Sequence, residues 1–204
     1  MINVITDTAA LEAFCASLVH ETFVTVDTEF MREKTYYPQL CLVQVSGEQN
    51  AAAIDPLAPG IDLKPLYELL ANPAILKVFH ACRQDMEIFY HAAGGVVPAP
   101  IFDTQVAAMV CGYGESVSYE TLVNKILRAP LDKSSRFTDW SRRPLTDKQL
   151  AYAMDDVLHL RKIYAELAQR MAETGRIEWI ADEMQPLLEA TTYDNDPNEA
   201  WKKI

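Results

Sequence analysis

The sequence predicts an α/β domain built on a mixed sheet, and three observations carry that expectation. Three short segments rich in β-branched and small apolar residues stand near the N-terminus, joined by loops and turns. Helical and strand-like segments then alternate through the middle of the chain. A long stretch of helical periodicity follows, from about residue 146 to 172. Hairpin-linked strands followed by alternating helices and strands give a sheet of mixed direction flanked by helices.

Taken in order, residues 22–28 alternate Phe23, Thr25 and Asp27 with Val24, Val26 and Thr28, the two-residue period of a strand. Residues 40–45 and 51–54 read as the next strands, with Gly47-Glu48-Gln49-Asn50 as a hairpin turn. Residues 63–71 form a helix ended by Asn72-Pro73, and 75–80 a short apolar strand. A helix over 84–93 stops at Gly94-Gly95; 99–102 is a strand, 104–111 a short helix, and 119–127 another that halts before Pro130. The long helix begins at Thr146-Asp147-Lys148-Gln149, a Ser/Thr cap with Gln three residues on. A last helix covers roughly 177–190, and the polar stretch 193–198 reads as a linker. The expected domains are therefore 1–175 as the body and 176–204 as a C-terminal helix and linker.

A chain of 204 residues suits one domain with a substantial core, and 50 % hydrophobic with 23 % charged residues is ordinary for a globular protein. The start, Met1-Ile2-Asn3-Val4-Ile5-Thr6-Asp7, lacks a signal-peptide pattern, and no apolar run reaches membrane-span length. Cys15, Cys41, Cys82 and Cys111 are scattered, which points to reduced thiols and a cytoplasmic setting. The net charge of −11 argues against a broad basic nucleic-acid surface. Charge is uneven, however. Residues 128–148 hold six basic residues against three acidic, whereas 182–199 hold six acidic and no basic ones. Attraction of phosphates would be local.

Four acids in three separated motifs carry the chemistry. They are Asp27 and Glu29 in Val-Asp-Thr-Glu-Phe, Asp85 in Phe79-His80-Ala81-Cys82-Arg83-Gln84-Asp85, and Asp156 four residues after Tyr152. Residues two apart on a strand share a face, and residues four apart on a helix do too. Asp27 with Glu29, and Tyr152 with Asp156, would thus each project together. Asp85 stands where a strand ends and a helix starts, a common ligand position in α/β proteins. Singly these are a polar strand end, a helix-start carboxylate and a surface pair. Gathered at one point they would repel unless cations neutralised them. Oxygen-only ligands select Mg²⁺ or Mn²⁺ over Zn²⁺, and two such ions about 3.5–4 Å apart suit an in-line phosphoryl displacement. A tyrosine, with an ordinary pKa of about 10, is better suited to positioning a water than to acting as a base.

The order and flanks of these motifs resemble the ribonuclease D family of 3′→5′ exonucleases. Further matching segments are Phe102-Asp103-Thr104-Gln105, Leu131-Asp132-Lys133-Ser134, Thr138-Asp139-Trp140-Ser141-Arg142-Arg143-Pro144-Leu145, and the stretch from Tyr36 to Gln44. The resemblance implies a ribonuclease H-like exonuclease fold, with Asp27, Glu29, Asp85 and Asp156 holding two Mg²⁺ or Mn²⁺ ions and Tyr152 positioning the water. It implies release of nucleoside 5′-monophosphates from single-stranded RNA 3′ ends, tRNA precursors among them, by a monomer. It also implies a helical RNA-binding domain after residue 204 in longer relatives. Rival readings are a DNA proofreading-type exonuclease and a catalytically silent RNA-binding domain.

Substrate contacts are expected from Thr28, from Phe30 and Met31 as a wedge against the terminal nucleotide, and from Lys133, Arg142 and Arg143 on phosphates, with Arg136 a further candidate. His80 is read either as a substrate contact or as a polar strand end. Trp140 would anchor its loop or stack a base. Asp155 points about 100° away from Asp156 around the helix and is left out of the ligand set. Asp103 is expected to cap the helix that follows it.

Overall fold

The computed structural model describes residues 2–132, 134–195 and 197–198. Six strands form one sheet: β1 (Val4–Ile5), β2 (Phe23–Met31), β3 (Gln39–Ser46), β4 (Ala51–Ile54), β5 (Leu76–Phe79) and β6 (Ile101–Asp103). Their order is β1-β4-β3-β2-β5-β6. The pairs β2–β3 and β3–β4 are antiparallel, while β1–β4, β2–β5 and β5–β6 are parallel. The expected mixed sheet is present.

The helices are α1 (Thr8–Ser17), α2 (Lys64–Ala71), α3 (Arg83–Ala92), α4 (Thr104–Val110), α5 (Tyr119–Leu122), α6 (Asp147–Thr174) and α7 (Ile177–Leu188). After α5 the chain widens into a π-helical turn over Val123–Leu127, ended by Arg128 in the left-handed region at φ 53°. On one face of the sheet, Val24, Val26, Val43, Val45 and Phe79 share a cluster with Leu11, Phe14, Leu66, Leu70 and Phe89 of α1–α3. Each such side chain, fully buried, contributes roughly 1.5–3 kcal/mol.

Helix α6 crosses the other face, against β2, β3, β4 and β5. It starts with the expected capping box, Thr146 and Gln149 each bonding the other's backbone. Its Ala153, Val157, Leu160, Ile163, Leu167 and Met171 are buried at helical spacing. Helix α7 packs on α4 and β6, and its Ile180 and Met184, with Tyr193 beyond it, belong to the main core. Residues 177–193 thus lay their apolar stripe on the main core. Helix α1 and the short β1 were not expected from the sequence.

Candidate metal centre

Strand β2 presents Asp27 and Glu29 on the face that α6 crosses. Two residues earlier, the Thr25 hydroxyl donates to the Val157 carbonyl of α6 at 2.8 Å, which fixes strand against helix. Next along α6, the Asp156 carbonyl accepts a hydrogen bond from the Tyr119 hydroxyl. Asp27, Glu29 and Asp156 each bring a carboxylate oxygen to within 4.8 Å of the others. All three line a cleft of about 640 Å³, together with Tyr152, Phe30 and Met31.

Asp85 lies in the first turn of α3, buried beside this trio, with a carboxylate oxygen accepting the Thr28 hydroxyl. The turn that delivers it is built by Asp103. That carboxylate accepts from Ala81 N at 2.9 Å, Cys82 N at 2.8 Å and Gln105 N at 2.7 Å. It thus caps α4, as expected, and also holds Ala81 in its left-handed conformation, φ 53°, so that α3 can begin.

A bulge shapes the strand pair beside the acids. Glu29 pairs with Leu42 but Phe30 pairs with Leu40, leaving Cys41 without a partner. The Cys41 carbonyl instead accepts from Arg143 Nη2 at 2.7 Å.

Crowding is legible in the acids' proton affinities. Burial, opposed by the Thr28 backbone N–H, raises Asp27 to about 6. Burial and the charges of Asp27, Asp156 and Asp85 push Glu29 up to about 10. Asp156 rises to about 8 through burial and Asp27, with the Tyr152 hydroxyl opposing. Asp85 is held well above the ordinary carboxylate range by burial and Asp27.

This donor set fits divalent cations. It is all oxygen, it is short of positive partners, and Asp156 Oδ1 is buried with no hydrogen-bond partner. Gln44, directly opposite Asp27 on β3, is also wholly buried with neither end of its carboxamide paired.

The remaining expected residues divide. Thr28, Phe30, Met31 and His80 line the cleft. His80 Nδ1 lies 3.0 Å from Thr104 Oγ1, and its ring packs on Tyr119 at 5.3 Å. Arg143 does not serve a phosphate, because all five of its N–H donors are committed. They go to both Asp55 oxygens at 2.6 and 2.7 Å and to the carbonyls of Trp140, Arg142 and Cys41. Arg142 is exposed away from the cleft lining, and Lys133 falls outside the described residues. Trp140 is 2 % exposed and packs with Leu42 and Ala153, so it anchors its loop. The sequence reading missed Tyr119 and Phe137, both of which line the cleft.

A mixed sheet in this strand order, with acids from β2 and α6 lining one cleft and Asp85 of α3 buried next to them against Thr28, defines an α/β domain of the ribonuclease H-like exonuclease type. A 3'-5' exonuclease family profile matches residues 2–172, and the chain belongs to that family. Ribonuclease D of Jannaschia sp. is 55 % identical over 208 residues, taking in 100 % of this chain and 54 % of that protein. The crystal structure of Escherichia coli RNase D, an exoribonuclease involved in structured RNA processing, matches with a TM-score of 0.92. Its identity is 36 %, over 99 % of this chain and 53 % of that one. Brucella melitensis NrnC with bound Mg²⁺ matches with a TM-score of 0.77 at 27 % identity, over 99 % of this chain and 94 % of that one. The chain spans about half the length of the curated relatives it matches. Among the described residues, no helix is long and apolar enough to cross a membrane.

Proposed function

We propose that the chain is a divalent-metal-dependent 3′→5′ exoribonuclease, removing nucleoside 5′-monophosphates from single-stranded RNA 3′ ends. The observation that carries this is the meeting of Asp27, Glu29 and Asp156 within 4.8 Å in a cleft that also contains Tyr152. Asp27, Glu29, Asp156 and the adjacent Asp85 would hold two Mg²⁺ or Mn²⁺ ions. Bound there, the cations would offset the acids' repulsion and stabilise the attacking and leaving oxygens of an in-line displacement at phosphorus.

The chain's own side chains supply the rest. Burial and the charges of Asp156, Glu29 and Asp27 hold the Tyr152 hydroxyl above its ordinary range, so it stays protonated and orients the attacking water as a hydrogen-bond partner. Phe30 and Met31 wall the cleft beside the acids and would seat the terminal base, while Glu29 would meet the 3′-hydroxyl. Four cysteines without disulfides support a cytoplasmic setting. The likeness to an exoribonuclease of structured RNA processing supports RNA with a single-stranded 3′ tail, such as a tRNA precursor, as substrate.

The test is a time course on matched 5′-labelled RNA and DNA oligonucleotides with Mg²⁺, Mn²⁺ or chelator. The expected result is stepwise shortening of RNA from its 3′ end, with 5′-monophosphates released and chelator blocking the reaction. Preferential shortening of DNA would reverse the substrate assignment. RNA that is bound but left intact in both metals would end the enzymatic one.

A further inference from the structure

The loop between the π-helical turn and α6 contains two aromatic residues and several cations, and the fold treats them unequally. Trp140 and Arg143 are consumed in packing and hydrogen bonding. Arg136 and Phe137 are left free of such duties, and both line the cleft with Tyr152 and Asp156. Phe137 is 91 % exposed, the most exposed large apolar side chain among the described residues. The Arg136 guanidinium sits over its ring, 5.3 Å from the centroid. A bare aromatic face costs hydration free energy and is kept at a cleft mouth only at little benefit to folding. A cation-backed ring beside a phosphate-handling centre has the make-up of a nucleotide-stacking platform.

We propose that Phe137 and Arg136 form a subsite for the penultimate nucleotide of the RNA, Phe137 stacking its base and Arg136 contacting the backbone phosphate. This rests on the exoribonuclease reading above. The assignment to the penultimate nucleotide follows from position: Phe30 and Met31 flank the acids and take the terminal base, whereas Phe137 lies at the lip, where the remaining chain leaves the cleft. Arg136 lines the same cleft as Tyr152 and Asp156, within reach of the chain that leads away from the acids. A base-blind stacking surface of this kind would accept single-stranded ends of any sequence, because every base has a π-face. A paired penultimate base would have to leave its duplex stack to reach it.

The test is a coupling experiment on kcat/KM for an octauridylate RNA and the same RNA lacking the penultimate base. Because the Phe137 side chain is exposed, the variants are expected to fold, which circular dichroism checks. For the wild type, removing the base should cost about tenfold, the scale of one base–aromatic stack. Phe137→Ala should lose about tenfold on intact RNA and become indifferent to the missing base. Phe137→Trp should keep the wild-type sensitivity. Arg136→Gln should weaken KM and reduce the slope of log KM against log salt by about 0.7, the contribution of one phosphate contact on a single strand. Losses that multiply independently, or a Phe137→Ala variant with wild-type kcat/KM, would overturn the stacking subsite while leaving the exoribonuclease reading intact. A salt slope unchanged by Arg136→Gln would overturn its phosphate contact. Wild-type protein that shortens neither RNA would overturn the exoribonuclease reading, and the subsite with it.

Discussion

Asp103 and Asp156 are both shut away from solvent, at 2 % and 8 % exposure, yet the fold provides for them very differently. Asp103 accepts three backbone N–H bonds, and Asp55, nearby in burial, accepts both arms of Arg143. Asp156 keeps a buried oxygen with no partner and faces Asp27 and Glu29 across less than 4.8 Å. Buried acids in one small domain therefore fall into two kinds. Those saturated by the chain fix its shape; those left wanting mark where something else must bind.

The sharpest way to break this contrast is Asp27→Asn. It removes the charge of a proposed ligand at nearly constant shape, so hydrolysis should fall by about 10³-fold or more. Circular dichroism should stay native, and in chelator the melting temperature should hold or rise, since one repelling charge is gone. Activity within tenfold of the wild type would put Asp27 among the structural acids. Next comes Tyr152→Phe, expected to lower kcat by about 10²–10³ through loss of one positioning hydroxyl. A full rate would remove Tyr152 from the mechanism and leave the acids standing.

Asp103→Ala tests the other side. Three backbone N–H groups, buried or partly so, lose their acceptor, and urea unfolding should show a loss of about 3 kcal/mol. An unchanged midpoint would erase the distinction between the two kinds of acid.

The smallest effect concerns pH. In the folded chain Asp27, Asp156 and Glu29 hold protons up to about 6, 8 and 10. Unfolded carboxyl groups release theirs near pH 4. The native state is therefore the more protonated one, so the contribution of these groups is fully present below about pH 4 and is lost as pH rises through their folded values. Melting temperature in chelator should accordingly decline from about pH 5 to about pH 9, and saturating Mg²⁺ or Mn²⁺ should flatten that decline. A level profile in chelator would mean that the acids of the cleft lie further apart in solution than 4.8 Å.

Much of this was readable in the chain, for reasons that can be named. The acids of β2 and α6 are local patterns, two residues apart on a strand and four from a tyrosine on a helix, and such spacings survive folding unchanged. The Thr146–Gln149 capping box is equally local. Helix α1 carried a signal too, since Asp7 caps it and Leu11, Phe14 and Cys15 recur at helical spacing. Four alanines among its ten residues blur the apolar stripe. What sequence does not carry is partner choice at long range. Thr28 meets Asp85 across 57 positions and Arg143 meets Asp55 across 88. Whether an arginine in a basic loop is spent inside the fold or held out toward solvent depends on such meetings. Arg136 and Arg143 look alike in the sequence and differ only there.

The hydroxyls of Thr25 and Tyr119 grip two successive carbonyls of α6, those of Val157 and Asp156. The grip lies two residues from Asp27 on the strand and at Asp156 itself on the helix. Strand and helix consequently travel as one rigid jaw, and a slip of α6 by one turn, about 5.4 Å, would break both fastenings at once. The gap between the acids of β2 and α6 is thus a built dimension, set by the chain's own fastenings.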